Sequence, residues 1–402
     1  MKNRLFNIII LLVIVLQITW YAILWVSYVN SPVLLQSADF RPFYAAGRIS
    51  KDLGFDKVFN LDMQTKVQDK VVGHILSKDE LLIYYHPPLL LPILNFIANF
   101  NYQTAYIINC IFLLMLAFAC LPFLFFTLKQ FHWSISSIWI MILGFIFFEP
   151  TFISILKGQD STLLLLGLVI WFSALLKGED RLAGLGLALT TIRPQLSIFL
   201  AIPFIFHKRR VFTWYLLSAG LLLIYSYLMV GKQGFLDLLD LIRIGSAGQD
   251  YGLNLSAMFN LTGLILRVYP GVDHIFLNYL KWGLYGLALL GMILVWRQSS
   301  KIQNRHLAIL VIFSIFFSPH LHYHDLVILL IPIIVMLLIW VEHNVISAKM
   351  AGLILFIFSI ALLFGNIITK AYHTIPYLIM IFVLFGSWRP LWFRLQFKSR
   401  NG

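Results

Sequence analysis

The sequence predicts an all-α, polytopic membrane protein of about twelve transmembrane helices, each span taking ~20 residues. Three observations carry this. First, 60% of the 402 residues are hydrophobic and only 12% are charged, against about 45–50% and about 25% in soluble domains. Second, the apolar residues fall in runs of spanning length separated by short polar stretches. Third, a net charge of +13 can be placed entirely on one side of a bilayer, as the retention of Lys and Arg in the cytoplasm requires. These exclude a soluble globular protein, a disordered chain and a secreted disulfide scaffold. In a soluble chain that charge would suggest nucleic acid as a partner; here its position matters more, and no nucleic acid is expected. Cys110 and Cys120 share one apolar stretch, form neither a CxxC nor a zinc pattern, and read as small buried apolar residues.

The first run, Leu5 to Val29, follows Met-Lys-Asn-Arg. It is too long for a signal-peptide core and lacks a small-residue cleavage site, so it reads as a retained span. Lys2 and Arg4 put the N-terminus in the cytoplasm. The polar segment 30–87 is then the first extracytoplasmic loop, with short surface helices at 39–50 and 61–76. Residues 88–100 follow Pro87-Pro88 and are too short to cross; they predict a re-entrant or interfacial helix.

Further spans are expected at 104–128, 134–149, 160–177, 181–192, 194–206, 211–230, 276–297, 305–318, 323–341, 349–366 and 373–388. Basic residues flank both ends of 181–206 (Lys177 and Arg181, then Lys208, Arg209 and Arg210), so both ends belong in the cytoplasm. The stretch should therefore turn back near Arg193-Pro194, because proline biases its predecessor away from the helical region. A second large outer loop, 231–275, carries Asn-x-Ser/Thr sequons at Asn254 and Asn260. With both termini cytoplasmic, Lys301, Arg389, Arg394, Lys398 and Arg400 among the inner bases, the whole +13 lies inside and the outer face is neutral. No internal repeat is evident, and 1–402 reads as one integral membrane domain.

This topology gathers the polar residues at the outer membrane face. Ionisable groups at span ends are costly unless paired or hydrated, and so point to function. Asp39 starts a surface helix; it is either its N-cap or a partly desolvated general base, and one residue can be both. His86 sits in the Tyr84-Tyr85-His86-Pro87-Pro88 turn, among aromatics that also suit an interface. Lys157, Gln159 and Asp160 precede a Leu-rich span, either as a snorkelling lysine and helix caps or as polar groups where a helix N-terminus favours an anion. Arg193, between two short apolar segments, needs an anionic partner, a protein carboxylate or a substrate phosphate. His320, His322, His324 and Asp325 suggest a metal box by residue type, but their spacing matches no metal signature, and contact with a sugar or phosphate fits better.

In order, these motifs resemble glycosyltransferase family 87 (DUF2029-type), which implies a GT-C-like polytopic fold. The resemblance rests on Asp39-Phe-x-x-x-Tyr44-x-Ala-Gly-Arg48, Tyr85 to Leu89, the Gly158-Gln159 turn, Ala183 to Pro194, the basic His207 to Arg210, and Ser318 to Asp325, spanning about 39–325. It implies a polyprenyl-phosphate hexose as donor, mannose first among the sugars, and a glycolipid or glycan acceptor in a cell envelope. It also implies an extracytoplasmic active site, most simply in a bacterial plasma membrane. The catalytic aspartate maps onto Asp39, and the cation near the lipid phosphate onto Arg193, where many members carry lysine. Tyr44, Arg48, His86, Lys157, Gln159, Asp160, His322, His324 and Asp325 fall among the expected substrate contacts, and no metal or cofactor is required. Asp160, where an amide is usual, and His322-Tyr323-His324-Asp325, in place of Trp-x-His-His, depart from the pattern. A lipid-linked-sugar flippase and a non-catalytic envelope-assembly protein are the alternatives. A transporter should show repeats and midplane broken helices.

Overall fold

A computed structural model describes residues 2–247, 251, 254–299, 302–367 and 373–388. Lys301 and the basic residues from Arg389 onward, assigned above to the cytoplasmic side, lie outside them. Among the described residues every regular element is helical. Six helices are long and apolar enough to cross a membrane, or seven if the bent pair Ile135–Ile146 and Glu149–Lys157 counts as one span. Five further apolar helices are shorter. The protein is an integral, multi-pass membrane protein.

The first long helix, α1 (Lys2–Asn30), leaves Leu12, Leu16 and Val26 exposed, as suits a lipid-facing span. The polar segment after it folds into α2 (Pro32–Gln36), α3 (Phe40–Asp52) and α4 (Leu61–Val72). The Asn60 side chain caps α4 by accepting from Met63 N–H at 3.0 Å, which supplies one of the donors a helix start leaves unpaired. The segment expected to be re-entrant or interfacial is a 3₁₀ turn at Pro88–Leu90 leading into α5 (Leu91–Ile97). It lies close against α3: a Cβ on Gly47 would stand 2.3 Å from the Leu94 carbonyl oxygen, so only glycine fits there.

Next come α6 (Tyr102–Gln130), capped by Asn101, and α7 (Ile135–Ile146), capped by Ser134. The sequence reading missed α8 (Glu149–Lys157). This nine-residue helix starts with Glu149-Pro150, and proline is well placed in a first turn. It ends at Gly158 (φ 73), where a Cβ would also lie 2.6 Å from Phe40 Cβ. Conformation and close approach both require glycine there. α9 (Ser161–Lys177) and α10 (Asp180–Leu189) follow, then a 3₁₀ turn. The break expected near Arg193-Pro194 is present: Arg193 leaves helical geometry (φ −123, ψ 82) and Pro194 opens α11 (Pro194–Ala201).

α12 (Arg209–Ala247) bends at Gly231 (φ 66). The segment 232–247, expected as part of a loop, is therefore helical. α13 (Leu261–Val268), α14 (His274–Gln298) and α15 (Asn304–Phe317) lead to a 3₁₀ segment, Tyr323–Leu329, that runs into α16 (Leu330–Glu342). Leu330 to Trp340 are all buried, making α16 the centre of the bundle. α17 (Ala348–Ile367) and α18 (Thr374–Trp388) pack beside it. Asn260, one of the two sequons, is fully buried. Its amide donates to Ser318 O at 2.7 Å while its oxygen caps α13, so it is no glycan acceptor.

Candidate functional site

Loop ends and helix termini from all parts of the chain converge on one cavity of about 670 Å³. Asp39, His86, Lys157, Gln159, Arg193, His322, His324 and Asp325 line it; Asp160 lies buried just behind the wall.

Asp39 stands at the N-terminus of α3 with helical backbone angles (φ −66, ψ −3) and makes no side-chain capping bond. Capping needs an extended backbone, so that the side chain can fold back to the N2 and N3 amides. The helix-cap reading is thus overturned. The carboxylate is one-third exposed, and His324 Nδ1 lies 3.8 Å from its Oδ2. Pro42 and Phe43 share the cavity wall with it, at the i+3 and i+4 positions that define one helix face.

Tyr44 and Arg48 lie on another face of α3, outside the cavity. The Tyr44 hydroxyl donates to Phe100 O at 3.0 Å. Arg48 donates to Ala98 O at 3.2 Å and pairs with Asp52 at 2.7 Å. Both tie α3 to the segment after α5, which corrects their expected place among the substrate contacts. The motif made them neighbours of Asp39 in sequence; the helical repeat separates them in space.

His86 is carried by an extended segment whose backbone bonds are supplied by two glutamines of α4. Gln68 donates to Leu82 O at 2.7 Å, and Gln64 both donates to Tyr84 O (3.0 Å) and accepts from Tyr84 N–H (2.8 Å). His86 Nδ1 lies 2.9 Å from Asp160 Oδ2 and 2.9 Å from Arg193 Nη1. One ring nitrogen cannot serve a donor and an acceptor at once. With Arg193 already engaged by carboxylates, the Nδ1–H tautomer donating to Asp160 is the consistent assignment.

Arg193 has found protein carboxylates: Asp160 Oδ1 at 2.9 Å and Asp325 Oδ1 at 3.3 Å. Ser161 Oγ donates to Asp325 at 2.8 Å. Burial alone would raise the Asp160 carboxyl, but Arg193 and His86 overcome it and hold Asp160 well below the usual carboxylate range. For Arg193, burial acts downward, and the two aspartates outweigh it and keep the guanidinium charged. The cluster is one cation between two anions.

The histidine run forms the opposite wall. His320 Nε2 lies 3.1 Å from the Tyr85 hydroxyl, and the His320, His322 and His324 rings succeed one another at centroid distances of 4.8 and 5.8 Å. Among the described residues no group of His, Cys, Asp or Glu is arranged to hold a metal ion. Asp325 is engaged by Arg193 and Ser161 instead. Burial, then the neighbouring His324, pushes the His322 imidazole down; His320 is lowered as well, again chiefly by burial.

This sets a pH window. A histidine with a lowered folded-state pKa stabilises the fold least where the unfolded chain takes up protons, so stability falls as pH drops below about 6.5. Asp160 acts in the same direction but lower on the pH scale: its contribution is present above the ordinary carboxylate value of about 3.9 and is lost progressively as pH falls from there toward its depressed folded-state value. The melting temperature of detergent-solubilised protein should therefore fall between pH 7 and pH 5, and the double substitution His320→Gln/His322→Gln should flatten the fall. An unchanged slope in that variant would remove these imidazoles as its cause.

Lys157 ends α8, its ammonium 5.2 Å from the centre of the Tyr28 ring, a cation–π contact. Gln159 is buried, and its Oε1 meets no protein donor among the described residues. The sequence reading missed Lys281, which is 7% exposed and lines the cavity from α14 beside Trp282 and Tyr285. A lysine in an apolar run was the available signal, but it had been counted only as an outer-face charge. Tyr285 donates to Gln195 O at 2.7 Å, joining this wall to the Arg193 break. Ile198, Ile242 and Trp282 line the cavity yet are 44%, 42% and 44% exposed, so one opening is framed by apolar side chains.

A family model, that of glycosyltransferase family 87, matches residues 84–319, more than half of the chain. No curated protein matches it.

Proposed function

The chain belongs to glycosyltransferase family 87 and is a glycosyltransferase, and from that premise we propose an inverting transfer from a polyprenyl-phosphate hexose, mannose first, to a glycolipid or glycan acceptor at the extracytoplasmic face. The observation that carries the proposal is the Asp39 carboxylate. It faces the cavity, is partly shielded, and is not consumed by its own helix. Asp39 takes the proton of the acceptor hydroxyl. The acceptor oxygen attacks the anomeric carbon, the bond from that carbon to the phosphate oxygen breaks, and polyprenyl phosphate leaves with the electron pair.

Three cationic side chains of the cavity wall, Arg193, Lys157 and Lys281, surround the space for the leaving phosphate. Preorganised cations stabilise charge that grows in the transition state. Arg193 is already opposed by two carboxylates, and Lys157 and Lys281 bring further positive charge to the same wall. The buried Gln159 oxygen accepts from a sugar hydroxyl, and His322 and His324 contact the sugar or its phosphate. The opening framed by Ile198, Ile242 and Trp282 suits an isoprenoid chain lying between helices, since an aqueous mouth gains nothing from such a rim. Charge neutralisation by arginine and lysine leaves no step that needs a metal.

The test is transfer by purified protein from a panel of labelled polyprenyl-phosphate hexoses to a total lipid extract, with and without EDTA. Transfer from a lipid-linked sugar that EDTA leaves unchanged is the expected result. A nucleotide-sugar requirement, or loss in EDTA, would overturn the donor or the metal-free mechanism. Failure with every donor together with lipid-sugar translocation in liposomes would identify a flippase.

A further inference from the structure

Glu149 is a fully buried carboxylate that the proposed chemistry does not use. It stands at the bend between α7 and α8, where the interrupted helix frees backbone groups. The Tyr323 hydroxyl donates to its Oε2 and the Asn366 amide to its Oε1. Its own backbone N–H donates to Ser359 Oγ at 3.1 Å. Gln17 of α1 extends the network, donating to Phe147 O at 2.8 Å and to Ser359 Oγ at 3.0 Å. One carboxylate thus joins the α7–α8 bend, α17 and the 3₁₀ segment that opens at Tyr323, inside an otherwise apolar bundle.

Two of these connections lead to the cavity. Tyr323 lies between His322 and His324 in the chain, and all three line it. Glu149 begins the same short helix that ends at Lys157 and Gly158, and α8 packs along the Tyr323–Leu329 segment. A rigid nine-residue rod therefore has the glutamate at one end and the cavity wall at the other. Holding a constellation in register matters: a misplacement of about 1 Å can cost on the order of 100-fold in rate.

We propose that Glu149 is a positioning residue, which through Tyr323 fixes the His322–Asp325 wall opposite Asp39 and through α8 fixes Lys157 and Gln159. The consequence for catalysis rests on the function proposed above; the positional coupling does not. The carboxylate accepts from Tyr323 on one oxygen and from Asn366 on the other, whereas a glutamine presents one oxygen and one NH2, so one of the two bonds must be lost or reversed. Glu149→Gln should lower kcat roughly 10- to 100-fold with KM within about twofold, since the site shifts without losing a substrate contact. Tyr323→Phe removes one bond of the same network from its other end and should do the same. The double variant should be no slower than the slower single, because both remove one interaction.

A second readout needs no turnover. In protein labelled with ¹⁵N at histidine, the His324 resonances, identified by their loss in His324→Gln, should move in both single variants. If wild type transfers no sugar, the function fails, and the histidine shifts still decide the coupling. Unmoved His324 resonances, multiplicative losses in the double variant, or a lowered melting temperature with unchanged kcat would overturn the proposal. If Glu149→Gln does not fold, Tyr323→Phe carries both measurements alone.

Discussion

Asp39→Asn should abolish transfer and leave the fold untouched. General-base catalysis typically contributes about 10²–10⁴-fold, and the amide keeps the size of the carboxylate while losing its basicity. Stability should change by less than about 0.5 kcal/mol, as for a surface substitution away from special features. The reason is specific: the carboxylate makes no capping bond, is one-third exposed, and has the His324 imidazole 3.8 Å away. The measurement is kcat and melting temperature on the two proteins side by side. Wild-type transfer by the amide would exclude Asp39 as the base. A large drop in melting temperature with proportionate loss of activity would return it to a structural role.

How much of this was legible beforehand depended on whether a feature is local. Helix α3 and the break at Arg193 could be read directly, because amphipathic spacing and a proline act within a few residues. The gathering of Asp39, His86, Lys157, Gln159, Arg193 and the histidine run was also expected, and one cavity does bring them together. Tyr44 and Arg48 were misplaced because a motif records order along the chain, and a helix sends Asp39, Pro42 and Phe43 one way and residues 44 and 48 another. Helix α8 went unseen because nine residues after a proline-marked bend give too short a pattern to separate from the preceding span. Lys281 was visible as a lysine in an apolar run, but nothing local assigned it to the cavity. The partners of Arg193 could not be read at all. Asp160, Asp325 and His86 come from three distant segments, and only the packed bundle brings them within 3.3 Å.

That cluster carries the second large effect. Arg193→Met should cost about 3–5 kcal/mol, because removing one partner of a buried ion pair leaves the others uncompensated. Here two carboxylates are left, each 2% exposed. The expected observation is a much lower melting temperature or little folded protein, with Arg193→Lys intermediate, since an ammonium restores the charge but not the planar fork that reaches two acids. Neutralising the acids as well, in Arg193→Met/Asp160→Asn/Asp325→Asn, should recover most of the stability, because no charge remains buried without a partner. This triple variant separates two roles that the single variant confuses. If Arg193 only balances the buried aspartates, the refolded triple variant should transfer sugar as fast as Asp160→Asn/Asp325→Asn, the baseline required because Asp325 also lines the cavity. If the guanidinium also stabilises the leaving phosphate from the cavity wall, the protein should fold and remain at least roughly tenfold slower than that baseline, as expected when a preorganised cation is lost. The second outcome is expected, because Arg193 lines the cavity while Asp160 lies behind it. A single Arg193→Met protein with wild-type stability would instead mean that the two aspartates are neutral in the folded chain, and the charge assignment of the whole cluster would fall.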